Sequence, residues 1–321
     1  MTRGWRGGAA LAGLALVAAG CELVEVTATP GDDVVVVEAT LRTDRGVQTL
    51  LVHRSTREGQ MGSAVPGARV AVRTAEGREV VFEEVRTRWE DPCKPEPVDT
   101  DATALSGGAP PMATCYRSPA AEGVWVRPGA TYELDVATPD GRRLRGRTTV
   151  PGGFAMRSPA PPLTRGRRVC TLPPGTLLPL VWSRSAGAWS YVTDMQVEGI
   201  RFPGVPSALQ LTGLSISEAD TTLVIPANVG IFERASYPQD FLRLLQGGFP
   251  EGVSVRLTVA AVDRNYVNGV RGGSFNPSGR VRVSSVTGDG EGVFGSLVPL
   301  TLEVEVLRGP SRLPACLGAS G

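Results

Sequence analysis

The sequence predicts an all-β protein, two tandem β-sandwiches carried behind a lipoprotein signal peptide. Three observations predict it. Short runs of Val, Leu and Thr alternate with polar residues and break at turn formers, with 40 Gly and 26 Pro in 321 residues. Helical periodicity is nearly absent. A short apolar segment near the start, LAGLALVAAGCE at residues 11–22, runs into a cysteine.

The elements follow in order. Arg3 and Arg6 form a basic start, and residues 8–19 are uncharged and too short to span a bilayer. Small residues at Ala19 and Gly20 precede Cys21, the pattern that lipoprotein signal peptidase requires. Residues 1–20 are therefore expected to be removed and Cys21 lipidated. Two or three acyl chains anchor stably, at about 0.8 kcal/mol per buried methylene. Residue 22 is Glu, not the Asp that commonly retains lipoproteins at the inner membrane, so the outer membrane is the expected location. Residues 21–32 read as a tether. The lipid is the only expected anchor, because no later stretch approaches about eighteen apolar residues.

The mature chain carries 31 basic and 32 acidic residues. This balance argues against a nucleic-acid partner or a polybasic membrane patch.

Residues 33–150 read as the first sandwich, of immunoglobulin or transthyretin type. Strands are expected at 33–42, 47–53, 69–73, 79–85, 124–126, 132–136 and 143–150, with turns at 75–77, 128–129 and 140–141. In 132–136, Tyr132, Leu134 and Val136 share one face and Glu133 and Asp135 the other. Regularity stops in an insertion at 86–122, which holds Trp89, Cys93, Cys115 and Tyr116. Loops of this length are functional or disordered, and two cysteines argue against full disorder.

Residues 151–163 read as a Pro-rich linker. Residues 164–308 read as a second sandwich, with alternation at 191–198, 253–259 and 300–306 and shorter runs at 178–182 and 222–225. Trp182, Tyr191 and the later Ala260-Ala261-Val262-Asp263 form a fibronectin III-like pattern. One short helix is expected after Pro238, with Phe241, Leu244 and Leu245 on one face and Gly247-Gly248 at its stop. Residues 309–321 are a tail.

Beyond Cys21 four cysteines remain, an even number in an exported chain, which favours two disulfides. Of the three possible connectivities, Cys93–Cys115 with Cys170–Cys316 is preferred: one closes the insertion and the other ties the second sandwich to the tail. A metal site is not expected, because there is no CxxC and His53 is the only histidine. No cofactor is expected.

Gly288, Gly290, Gly292 and Gly295 superficially resemble a phosphate loop, but no GK[ST] follows and the segment leads into a strand, so a turn or bulge is expected. Asp99 and Asp101 are hard ligands without further spaced acids. His53 has no Ser or Cys partner identifiable for a triad. Candidate ligand-binding residues are Trp89 and Tyr116 on the insertion, and Asp263, Asn265 and Tyr266, which suit either a sugar or the capping of a polar loop. Of the tryptophans, Trp89 is expected to be exposed and Trp182 to be core; Trp125 and Trp189 are further possible platforms.

The order of Cys21, VVVEATLRTDRGVQTLLVHRS (35–55), VPGARVAV (65–72), GATYELDVATPDGRRLRGRTTVP (129–151) and GDGEGVFGS (288–296) resembles a family of outer-membrane lipoproteins of unknown function, abundant in Bacteroidetes. The resemblance spans nearly the whole mature chain; the insertion at 86–122 matches none of its pattern. It implies two β domains on a lipid tether, and an association with TonB-dependent outer-membrane receptors. It assigns no catalytic residues. The expected function is thus a non-catalytic accessory or binding lipoprotein acting with such a receptor or its cargo. The alternative is a stand-alone carbohydrate- or peptide-binding adhesin.

Overall fold

The structure, a computed structural model, describes residues 33–55, 63–85, 93, 113–214, 219–229, 237–272 and 283–317. The expected signal peptide and tether, with Cys21, lie outside the described residues, as do Trp89, Asp99 and Asp101.

Seven strands build the first half: β1 (Val35–Arg42), β2 (Thr49–Arg54), β3 (Arg69–Thr74), β4 (Glu79–Glu84), β5 (Ala113–Arg117), β6 (Thr131–Ala137) and β7 (Arg143–Thr149). The second half has β8 (Met156–Ser158), β9 (Leu163–Thr164), β10 (Arg167–Leu172), β11 (Leu178–Trp182), β12 (Ser190–Glu198), β13 (Ala208–Leu214) and β14 (Thr222–Ile225). Helix α1 (Gln239–Gly247), β15 (Ser254–Val262), helix α2 (Arg264–Gly272), β16 (Val286–Gly288) and β17 (Gly290–Val306) complete it.

Both sandwiches are present. In the second, β14-β11-β8 is one sheet, and β13-β12-β15-β17 runs through the other. With β10 added beside β17, a three-stranded sheet faces a larger one, a sandwich of fibronectin III type. Trp182 and Tyr191 meet edge to face at 5.4 Å in its core, both nearly fully buried. In the first, β17-β1-β2-β5 faces β4-β3-β6-β7-β16. β4 crosses between the sheets, pairing β3 through Glu79 and β5 through Glu83 and Glu84.

Strand β17 belongs to both sandwiches. Its first part lies parallel to β1, from Val35 opposite Gly290 to Arg42 opposite Leu297. Its second part pairs antiparallel with β15 and parallel with β10. One continuous apolar cluster accordingly runs from Val35 to Cys316, and residues 31–321 cluster as one compact unit. Full burial of each Val, Leu or Phe in it contributes about 1.5–3 kcal/mol before entropy is counted.

The glycines at the start of β17 allow this sharing. At Gly292 (φ 153°) a Cβ would lie 2.0 Å from the Val37 carbonyl oxygen, so any side chain would force β1 and β17 apart. The segment is a strand in close backbone contact, in place of a terminal turn.

Four local expectations change. Residues 113–117 of the insertion are strand β5, inserted between β2 and β4, because Tyr116 and Thr114 face the core. Residues 124–126 form no strand, yet Trp125 and Val126 are buried. The Pro-rich residues 151–163 contain β8, an edge strand where the scarcity of ladder bonds tolerates proline. Residues 264–272 are helical, because Asp263 supplies an N-cap. The helix expected after Pro238 is α1, with Phe241 and Leu245 buried. No helix among the described residues is long and apolar enough to cross a membrane.

A candidate binding groove at the junction of the sandwiches

Both disulfides join the expected pairs. Cys93–Cys115 spans a Cα separation of 5.8 Å and Cys170–Cys316 one of 4.9 Å. The first ties residue 93 to β5, and the second fastens the tail to β10.

The outer face of β4-β3-β6-β7 carries charges in cross-strand rows. Register places Glu79 opposite Arg73, Arg73 opposite Glu133, and Glu133 opposite Arg147. Two residues along, Asp135 stands between Ala71 and Arg145. Arg73 Nη2 donates to Glu79 at 2.8 Å, and Arg69 bonds the same carboxylate. The Arg73 hydrogen bond, ahead of the Arg69 charge, holds the Glu79 carboxyl below its ordinary range. Arg145 lies 3.5 Å from Asp135. Glu133 and Arg147 face each other, and among the described residues neither enters an ion pair.

Arg73, Glu79, Glu133, Asp135, Arg145 and Arg147 line a groove of about 580 Å³, together with Ser285 and Thr287 beside β7 and Asn265 of α2. The groove therefore lies on the outer face of the first sandwich, with Asn265 as its contribution from the second.

The junction of the two sandwiches is a buried polar cluster. Asp263 is 6% exposed. Its Oδ1 accepts the Tyr266 N–H at 2.8 Å and the Ser296 N–H at 3.1 Å, and its Oδ2 accepts the Thr148 hydroxyl at 2.6 Å. Thr148 and Ser296 hydroxyls are 2.8 Å apart. Burial pushes the Asp263 carboxyl upward, against these hydrogen bonds. Asn265 Nδ2 donates to the Arg147 and Phe294 carbonyls, both at 2.9 Å.

The sequence-predicted residues are thus dispersed. Asp263 caps α2 and clamps the junction, so its carboxylate is engaged internally. Asn265 both clamps and lines the groove. Tyr266 is half-buried, with burial raising its phenol. Tyr116 is a core residue at 1% exposure; its hydroxyl donates to the Val65 carbonyl and accepts the Ala68 N–H. Trp125 and Trp182 are buried. Trp189, in contrast, is 47% exposed, with the Arg264 guanidinium 5.1 Å from its ring centroid.

His53 Nε2 lies 3.5 Å from Glu38 Oε1 and its Nδ1 is 3.1 Å from the Arg54 carbonyl. Burial alone would lower the imidazole, but the Glu38 hydrogen bond and the Arg54 carbonyl leave it raised. Among the described residues no group of three His, Cys, Asp or Glu side chains is placed to hold a metal.

Sequence reasoning missed Arg73, Glu133, Arg145 and Arg147 as a group, because only strand register brings them together. The signal was present in β7, where Arg143, Arg145 and Arg147 alternate outward.

No known family profile matches the chain, and no curated protein sequence does. Solved structures overlay loosely. The fibronectin(III)-like modules of Clostridium thermocellum CbhA share 11% identity, covering 85% of this chain and 94% of that one, at a TM-score of 0.21. A DUF4785 family protein from Legionella pneumophila shares 10%, covering 70% and 51%, at 0.20. The FN1–FN3 domains of chicken CNTN1 share 10%, covering 88% and 68%, at 0.17. The strand order, rather than these overlays, carries the fold.

Proposed function

We propose that the chain is a non-catalytic binding lipoprotein, held at the outer membrane by lipid on Cys21, and that it serves a TonB-dependent receptor or that receptor's cargo. The observation that carries the binding reading is the groove on the outer face of the first sandwich, reached by Asn265 of the second. Its donors and acceptors are fixed on paired strands, which suits recognition with little ordering cost. The lipobox at Cys21 and the order of sequence motifs support the location and the receptor. A second reading, a stand-alone adhesin, is favoured by the exposed Trp189 under Arg264, since Trp and Arg are frequent anchors of binding surfaces.

Labelling cells with a radioactive fatty acid and fractionating their membranes tests the anchored location. Label on the wild-type chain in the outer membrane, and none on Cys21→Ser, is the expected result. An unlabelled wild type, or label that persists in Cys21→Ser, would overturn it.

A further inference from the structure

We infer that the groove takes a neutral polysaccharide chain, an inference that rests on the binding-protein reading above. Three properties of the lining point there. First, its charges balance: Arg73, Arg145 and Arg147 stand against Glu79, Glu133 and Asp135. An anionic or cationic polymer would meet as much repulsion as attraction.

Second, peptide-binding devices are missing from the lining. The groove lies over the face of paired strands, so strand addition at a sheet edge is not offered there. Its apolar members, Ala71 and Leu134, are both 2% exposed and leave no pocket for an apolar side chain.

Third, donors and acceptors alternate. A sugar hydroxyl donates one hydrogen bond and accepts two, and so is best met by guanidinium and carboxylate together. Glu133 and Arg147 stand opposite each other with no ion pair between them. The row Glu79, Arg73, Glu133, Arg147 steps from strand to strand at about 4.8 Å, close to the length of a pyranose unit. Asn265 uses its Nδ2 on backbone carbonyls and keeps its Oδ1 as a further acceptor. The preceding residue, Arg264, sits over Trp189, an exposed indole.

The test uses the full mature chain with Cys21→Ser on an array of neutral glucans, mannans and xylans, beside polygalacturonate and hexapeptides. The expected result is saturable binding to a neutral chain that changes little with salt. Arg147→Ala and Glu133→Gln should each weaken it about tenfold. Both side chains face solvent, so thermal unfolding should be unchanged. Binding confined to polygalacturonate or peptides, binding to nothing, or neutral binding indifferent to both substitutions would overturn the inference. An empty array with a receptor still recovered from native membranes sinks the polysaccharide alone. Loss of both sinks the accessory reading as well.

Discussion

Asp263 joins three pieces of the chain through one carboxylate. It caps α2 through the Tyr266 N–H, holds β17 through the Ser296 N–H and holds β7 through Thr148. Asp263→Ala removes the cap and leaves buried donors unpaired, a loss of about 2–4 kcal/mol by urea denaturation. Asp263→Asn keeps an acceptor for both N–H groups and should lose far less. The two also differ in pH dependence. Burial raises the Asp263 carboxyl above its ordinary 3.8, so the folded state binds this proton more tightly than the unfolded state. Its contribution is complete below 3.8 and is lost as pH rises through the folded value; Asp263→Asn should abolish that slope. Asp140 has the opposite sign. The Thr138 hydroxyl and then Arg54 hold it at about 2, so its contribution is present above 3.8 and lost as pH falls through about 2. Capping by Asp263 was legible in the sequence as one of two readings. Its burial was not, because both partners outside the helix are over 30 residues away: Thr148 by 115 and Ser296 by 33.

Among elements, β17 governs the architecture. Its second part alternates Leu300, Leu302, Val304 and Val306, a pattern visible in sequence. Its first part is glycine-rich and reads as a turn, because the side chains that would mark a strand are excluded by β1. Gly292→Ala would put a methyl group against the Val37 carbonyl and should cost about 2–4 kcal/mol. Denaturant unfolding of this variant, compared with the wild type, checks the value; an unchanged midpoint would contradict the close pairing. Two further elements escaped the periodicity for physical reasons. β5 is a five-residue strand whose burial comes from long-range neighbours and the bond to Cys93. β8 is a three-residue edge strand between Gly and Pro residues. The strands with clean alternation, β6, β12, β15 and the later part of β17, were legible because one face is buried and the other wet.

At the scale of the molecule, the shared strand and the continuous core make the sandwiches one thermodynamic body. Calorimetry should show a single transition; two separated transitions would mean that β17 couples them weakly. A cluster of charges holds the chain just before β1. Asp33, the first described residue, bonds Arg54 and Arg142, which both also reach Asp140. On the proposed lipid anchor, two sandwiches that share one strand and one core suit work beside another membrane protein. The most direct test is an affinity pull-down of the lipidated chain from its native outer membranes, with Cys21→Ser as control. Recovery of a TonB-dependent receptor with the wild type, and its loss with the control, is the predicted result. Recovery of lipid alone, while the Cys21→Ser chain still grips a glycan or peptide, would contradict the accessory role and leave a stand-alone binder.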